Sequence, residues 1–139
     1  MPDLVFVDSN ILVYAHDRSN PVKHAKAREV LRQCWAEETG CLSLQVLQEF
    51  YVSITRKVRR PLSREVARDL IATYSVWRLA LLTPDHVIAA SHLEERYQIQ
   101  FWDALIVSAA QLLNAETILS EDFQHGLEIE GISIRNPLL

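Results

Sequence analysis

Short apolar runs alternate with helix-spaced apolar positions along the whole chain. Leu4–Val7 is an unbroken apolar run, which is typical of a strand buried on both faces. Similar short runs predict four more strands, at Cys41–Ser43, Leu79–Leu82, Thr117–Ser120 and Ile132–Arg135. Strands that alternate with helices favour a parallel sheet joined by crossovers. The pattern therefore predicts an α/β fold, with a central, mostly parallel sheet of about five strands and helices on both faces.

The intervals between these runs have the spacing and the terminal residues of helices. Asn20 and Pro21 form a cap and first-turn pair, and Gly40 fits the left-handed position that ends a helix. In the third helix, the predicted packed face consists of Leu44, Leu47, Tyr51, Ile54 and Val58. The predicted helices are Ile11–Tyr14, Pro21–Glu37, Leu44–Val58, one that begins at Ser63, Thr83–Tyr97 and Phe101–Leu113.

Composition narrows the class of protein. The 139 residues are 49% hydrophobic, which is enough for the core of one domain spanning 1–139. The net charge is −4, so a nucleic-acid partner would have to be held by a local basic patch or through a metal. Cys34 and Cys41 are expected to be reduced core residues of a cytoplasmic protein. No signal peptide or membrane-spanning run is predicted.

Four acidic residues share one position relative to the predicted elements. Asp8, Glu49, Asp103 and Asp122 each follow the carboxyl end of a strand or lie in the opening turns of a helix. In a parallel sheet these positions converge on one edge, where unpaired carboxylates repel one another. A hard divalent cation, Mg²⁺ or Mn²⁺, would offset that repulsion. Such a metal centre suits phosphodiester hydrolysis.

Other residues refine this prediction. Asp8 and Asp103 lie on the most apolar elements and are the predicted main ligands, while Asn10 and Ser120 supply neutral oxygens. The competing interpretations are a helix cap for Asp8 and Asp103, and a surface position for Glu49. The histidines have no metal-ligand spacing, and most of them are expected on the surface. His125 could approach the site but stays outside the prediction.

A dense basic run ends the third predicted helix. It consists of Arg56, Lys57, Arg59 and Arg60. The run either contacts a phosphate backbone beside the acidic centre or forms a solvated helix end, where cations suit the helix dipole. Both interpretations stay open at the level of the sequence.

The acidic motifs resemble those of the PIN-domain ribonucleases, and in particular the VapC-type toxins of toxin–antitoxin pairs. The resemblance rests on Val-Asp8-Ser-Asn10, Glu49 in Leu-Gln-Glu-Phe, Phe-Trp-Asp103-Ala-Leu-Ile, and Ile-Leu-Ser120-Glu-Asp122-Phe. It implies a magnesium- or manganese-dependent endoribonuclease that is usually a homodimer and is neutralised by a small antitoxin. It also implies that the four acids form the catalytic quartet, with Asn10 and Ser120 as accessory polar positions.

Two other functions compete with this one. A phosphatase of the haloacid-dehalogenase type also has an Asp after its first strand, but it needs a second Asp two residues later, where this chain has Asn10. The second alternative is a PIN-like module that binds RNA or protein without using its metal site. The complete set of four acids argues against that module.

Overall fold

The computed structural model describes residues 3–139, in which six α-helices surround a six-stranded sheet. The strands are β1 (Val5–Val7), β2 (Gly40–Ser43), β3 (Arg78–Ala80), β4 (Thr117–Leu119), β5 (Glu128–Ile129) and β6 (Ile132–Arg135). The helices are α1 (Ser9–His16), α2 (Pro21–Glu37), α3 (Leu44–Val52), α4 (Arg64–Tyr74), α5 (Pro84–Tyr97) and α6 (Phe101–Leu112). A π-helical turn, Ser53–Lys57, follows α3.

The strand order is β3-β2-β1-β4-β6-β5, and every pair is parallel except β5 with β6. The predicted α/β fold with a mostly parallel sheet is therefore confirmed. β5 was not predicted, because its sequence looks like a polar turn between Gly126 and Gly131. Both glycines have positive φ, 85° and 79°, which L side chains rarely adopt.

The topology places a crevice between β1 and β4. The chain moves from β1 to β2 to β3 in one direction and then returns to β4 on the other side of β1. Right-handed crossovers in opposite directions put their helices on opposite faces. Consistently, α1 packs against α2 and α3, while α5 packs against α6. Ligands of open α/β sheets bind where the direction reverses. Asp8 follows β1 there, and Ser120–Asp122 follow β4.

The core lies on both sides of the central strands. Phe6, Val7 and Leu42 have no exposed surface, and every residue from Ala104 to Ala110 in α6 is buried. The prediction that α6 is a central helix, covered on several sides, is thus confirmed. Cys34 and Cys41 are buried and unbonded, as expected. Within residues 3–139, none of the helices has both the length and the apolar character needed to cross a membrane.

The predicted role of Gly40 is wrong. The left-handed residue that ends α2 is Glu38, with φ 56°, and Gly40 begins β2. A Cβ on Gly40 would lie 2.8 Å from atoms of the Trp77 ring. Glycine is therefore explained at this position by the close packing of an aromatic ring against the strand.

The third predicted helix also differs in detail. α3 ends at Val52, and the chain then widens into the π-helical turn, in which the Val58 amide donates to the Ser53 carbonyl at 3.2 Å. Leu44 was predicted on the packed face but is 46% exposed, whereas Phe50 is fully buried. Leu44 is the first residue of α3, at the sheet edge, so the core does not cover it.

A candidate carboxylate centre at the sheet edge

Asp8 is the most buried acid of the sheet edge, with 3% of its surface exposed. One carboxylate oxygen accepts the Ser9 amide at 2.7 Å, so Asp8 caps α1, and the other accepts the Ser120 hydroxyl at 2.7 Å. Burial raises the pKa of Asp8 to about 7; the two hydrogen bonds oppose the shift, and the charges of Asp122 and Glu49 add to it. The cap and the site carboxylate are therefore compatible roles for one residue.

The Ser120 hydroxyl connects the ends of β1 and β4. Besides donating to Asp8, it accepts the Asn10 side-chain amide at 3.3 Å and the Asp122 backbone amide at 3.1 Å. The Asn10 carbonyl oxygen in turn accepts the Glu121 backbone amide at 3.2 Å. The two predicted accessory residues thus lie beside Asp8 and fix the Ser120–Asp122 segment against the start of α1.

Glu49 and Asp103 approach from the other elements of the edge, α3 and the first turn of α6. Burial raises the pKa of Glu49, the charges of Asp122 and Asp103 add to that shift, and hydrogen bonding from Gln45 and the charge of Lys57 oppose it. Burial also raises the pKa of Asp103, and Asp122 adds to it. Asp122 therefore acts on the other three carboxylates, and the four predicted acids share one negative field.

These acids do not form a closed set of metal ligands. Within residues 3–139 none of the four forms an ion pair, and no three His, Cys, Asp or Glu side chains come close enough together to hold a metal ion. Their oxygens and the Ser120 hydroxyl are nevertheless the donors that a hard divalent cation prefers. A cavity of about 630 Å³ opens beside Asp103 and Asp122, with Gln100 and Phe123 in its wall.

The sequence did not single out three residues that support the edge. The Glu121 carboxylate accepts the Tyr14 hydroxyl at 2.8 Å and forms an ion pair with Lys23 at 2.9 Å. The Lys23 ammonium also donates to the Tyr14 hydroxyl at 3.3 Å and lies over the Tyr14 ring. We call these three residues the Glu121 network. The only signal for it in the sequence is the position of Glu121 between Ser120 and Asp122.

The structure divides the basic run. Lys57 lies near enough to Glu49 for its charge to lower the pKa of that carboxyl. Arg59 and Arg60 instead line a separate cavity between α1, α2 and α4. Arg56 is exposed on the π-helical turn. The run is therefore not a single patch.

The positions of two histidines bear on the expectation that most histidines lie on the surface. His16 is partly buried, not on the surface, and its Nε2 lies 2.8 Å from the Tyr74 hydroxyl. His16 is an exception to the expectation that most histidines lie on the surface, because α1 packs that ring against Phe50 and Tyr74. His125 Nδ1 accepts the Asn136 amide at 3.1 Å and thus supports the chain's final segment.

Comparisons with known proteins identify the same architecture. The family model described as PIN domain matches residues 5–125. Among curated proteins, none matches this sequence. One similar solved structure is a toxin–antitoxin complex from Klebsiella pneumoniae, with 18% identity, a TM-score of 0.69, and 96% of this chain and 97% of that chain covered.

Two other solved structures are similar. VapC20 of Mycobacterium tuberculosis, described as a sarcin–ricin loop cleaving toxin, has 21% identity and a TM-score of 0.65, and the match covers 85% of this chain and 91% of that one. VapBC2 of Rickettsia felis, bound to a promoter DNA fragment, has 18% identity and a TM-score of 0.65, with 96% and 98% covered. At such identities the likeness shows the fold.

Proposed function

Because this chain belongs to the PIN domain family, we propose that it is a magnesium- or manganese-dependent endoribonuclease and the toxin of a toxin–antitoxin pair. The observation that carries the proposal is that four carboxylates from separate elements share one edge of the sheet, where the charge of Asp122 acts on the other three, with no ion pair to any of them within residues 3–139. Crowded acids are costly unless a cation offsets their charge. That is the electrostatic signature of a metal-dependent site.

We propose roles for the residues from the chemistry of their donor atoms. Asp8 and Asp103 would be the main ligands, and Glu49 and Asp122 would complete the site by direct or water-mediated contacts. A bound divalent cation lowers the pKa of water and neutralises charge on a phosphodiester. The chain itself supplies the orientation, since the Ser120 hydroxyl holds one oxygen of Asp8 and also the Asp122 backbone amide.

The comparisons also support the proposed partners. The similar structure from Klebsiella pneumoniae is described as a toxin–antitoxin complex, which favours a small antitoxin for this chain. A second copy is a further proposed partner, since large apolar side chains are exposed near the starts of α3, α5 and α6; they are Leu44, Leu81, Ile88 and Trp102. Sedimentation over a range of protein concentrations, with Trp102→Ser as the matched variant, tests for a homodimer. A wild type that stays monomeric would contradict it.

One observation favours a second candidate, a PIN-like module that binds RNA or protein without catalysis. The carboxylates are not drawn together into a group that could hold a metal ion as they stand. Such a module would bind RNA equally well in EDTA and in manganese and would cleave none. The cleavage experiment below separates the two functions.

The experiment compares wild type with Asp8→Asn on single-stranded RNA, in EDTA, magnesium or manganese, and sequences the RNA ends produced. Asn keeps the volume and the capping ability of Asp8 but removes its charge. We expect defined new ends only from the wild type with metal, and no turnover of p-nitrophenyl phosphate, which a phosphatase would hydrolyse. Equal cleavage by the variant, or none by the wild type in any metal, would overturn the proposal.

A further inference from the structure

A cavity with a volume of about 760 Å³ lies away from the four carboxylates. Three segments enclose it: the end of α1 with the turn into α2, one side of α2, and the connection from the π-helical turn into α4. A cavity of this size falls in the range that holds a small ligand or a nucleotide unit. We call it the arginine cavity, and its charged and apolar lining includes Arg18, Arg28, Arg59, Arg60, Leu62 and Val66.

The charge of this cavity is unbalanced. None of its four arginines forms an ion pair within the described residues, whereas Lys23, Arg32 and Arg96 each pair with a glutamate. The single acid in the wall, Asp17, already accepts the Ser19 amide at 3.1 Å and its hydroxyl at 2.7 Å. A chain with net charge −4 thus concentrates unpaired positive charge in one concave place.

We propose that the arginine cavity binds a backbone phosphate of the RNA strand whose scissile bond reaches the carboxylates. This inference rests on the proposed function. A guanidinium presents a planar fork of donors that matches phosphate oxygens bidentately, so a group of unpaired arginines favours phosphate. The apolar floor, which includes Leu62 and Val66, suits the ribose and the base of the same nucleotide.

The position of the cavity relative to the carboxylates favours RNA over an acidic protein segment. α1 begins beside Asp8 and ends at His16 in the cavity wall, and its eight residues span about 12 Å, a length that a few nucleotides cover. The acids repel a polyanion, so a strand that enters the crevice needs cations close by. The Glu121 network lies between the two regions and connects α1 and α2 to the loop after β4.

The test measures the binding of a fluorescent single-stranded RNA of about ten nucleotides by anisotropy, in the Asp8→Asn background so that no cleavage occurs. The cavity variant carries Arg18→Gln and Arg28→Gln. The matched control carries Arg64→Gln and Arg68→Gln, which remove the same charge from α4 outside the cavity lining. Salt is varied between about 50 mM and about 200 mM.

We expect the cavity variant to bind at least about tenfold more weakly. Its plot of log affinity against log salt should be shallower by about 1.4, the value for two lost phosphate contacts on a single strand. The control should keep the slope of the Asp8→Asn parent. A second cavity variant, Arg59→Gln with Arg60→Gln, leaves α1 and α2 intact and should behave like the first.

Three outcomes would overturn the inference: cavity variants that match the control, cavity variants with an unchanged salt slope, or a parent that does not bind RNA. A polyglutamate peptide in the same assay examines the protein alternative, and peptide binding that needs these arginines while RNA binding does not would also overturn it. Cleavage by the wild type is measured separately. RNA binding that depends on the cavity without metal-dependent cleavage would refute the nuclease and leave the phosphate subsite standing.

Discussion

The carboxylate edge and the arginine cavity lie on either side of the Glu121 network, and each concentrates charge of one sign. At the edge, burial together with Asp122 and Glu49 raises the pKa of Asp8 to about 7 against the bonds from Ser120 and Ser9. In the cavity, burial together with the positive charge of His24 and Arg28 lowers the pKa of His16 to about 4. Burial is the main cause of both pKa shifts. The like charges around Asp8 and around His16 further favour the neutral form of each group.

The two regions differ in how the repulsion can be relieved. A carboxylate takes up a proton or a cation, so the edge adapts to pH and to metal. A guanidinium in a protein does not lose its proton, so the cavity gains stability only from an anion. Under the two proposals the edge accepts a cation and the cavity accepts a phosphate, and the following experiments test that difference.

The largest expected effect is the loss of catalysis in Asp103→Asn. A group that only supports a metal ligand changes activity roughly 10- to 100-fold, so removing a proposed main ligand should lower single-turnover cleavage by more than about 100-fold. Replacing Arg18 by Gln removes a charge from the other region and should leave cleavage at saturating RNA nearly unchanged. Full activity in Asp103→Asn would show that this acid is only a first-turn residue of α6.

The next largest expected effect is the stabilisation of the fold by manganese, measured by thermal melting. Manganese at a hundredfold excess over its dissociation constant should stabilise the wild type by about 2.7 kcal/mol, and Asp8→Asn should gain much less. In EDTA the variant should melt at or above the wild type, because one repelling charge is gone. Equal manganese shifts, with an EDTA-treated variant that melts well below the wild type, would mean that Asp8 serves only as a helix cap.

Local pattern was sufficient to predict the sheet, the helix start at Asn20–Pro21 and the placement of the four acids along one edge of the sheet. The acids converge because the carboxyl ends of parallel strands share one edge, so strand assignment alone brings Asp8 and Asp122 together. The same reasoning brought Asn10 and Ser120 to their side. These features depend on chain direction and on the period of the apolar residues, both of which can be determined from the sequence.

Long-range packing could not be predicted. Tyr14 and Glu121 are 107 residues apart in sequence, and nothing in either segment indicates the other. The basic run looked like one patch, but Lys57 lies near Glu49, whereas Arg59 lines the arginine cavity. Gly40 was assigned to a helix end because glycine is common there, whereas the approach of the Trp77 ring explains it.

A smaller increase in the free energy of unfolding, about 1 kcal/mol, is expected when the metal-free protein is moved from about pH 8 to pH 6.5. The pKa of Asp8 is about 7 in the folded protein, against 3.8 ordinarily. The folded state therefore binds this proton more tightly, and Asp8 lowers stability as pH rises from about 4 to about 7. Wild type in EDTA should gain stability over this acidification, and Asp8→Asn should gain less.

The measurement is made above pH 6.5 because the titration of His16 changes stability with pH in the opposite direction to that of Asp8. Its pKa falls from 6.5 to about 4 on folding, so its contribution to stability is complete above 6.5 and is lost as pH falls toward 4. Denaturant unfolding above pH 6.5 thus reports mainly on the carboxylates. His16→Gln should remove part of the stability loss at lower pH. A wild type that loses stability between about pH 8 and pH 6.5 would contradict the raised pKa of Asp8.

The smallest change in stability should come from the ion pair of Lys23 with Glu121, which lies between the two regions. Lys23 and Glu121 are 2.9 Å apart, and their side chains are 35% and 25% exposed. A double-mutant cycle with Lys23→Met and Glu121→Gln should therefore give a coupling of about 1 kcal/mol or less that weakens in salt.

The exposed pair of Arg32 with Glu29 on α2, at 2.7 Å, is the control, since it lies in neither region. Lys23→Met alone should also leave the Glu121 carboxylate beside Asp122 without its cation, so manganese should bind slightly more tightly and RNA slightly more weakly. The control variant Arg32→Met should change neither affinity. A salt-independent coupling well above 1 kcal/mol would instead mean that the Glu121 network is a structural element of the fold, and the edge and the cavity would then have to be treated as one unit.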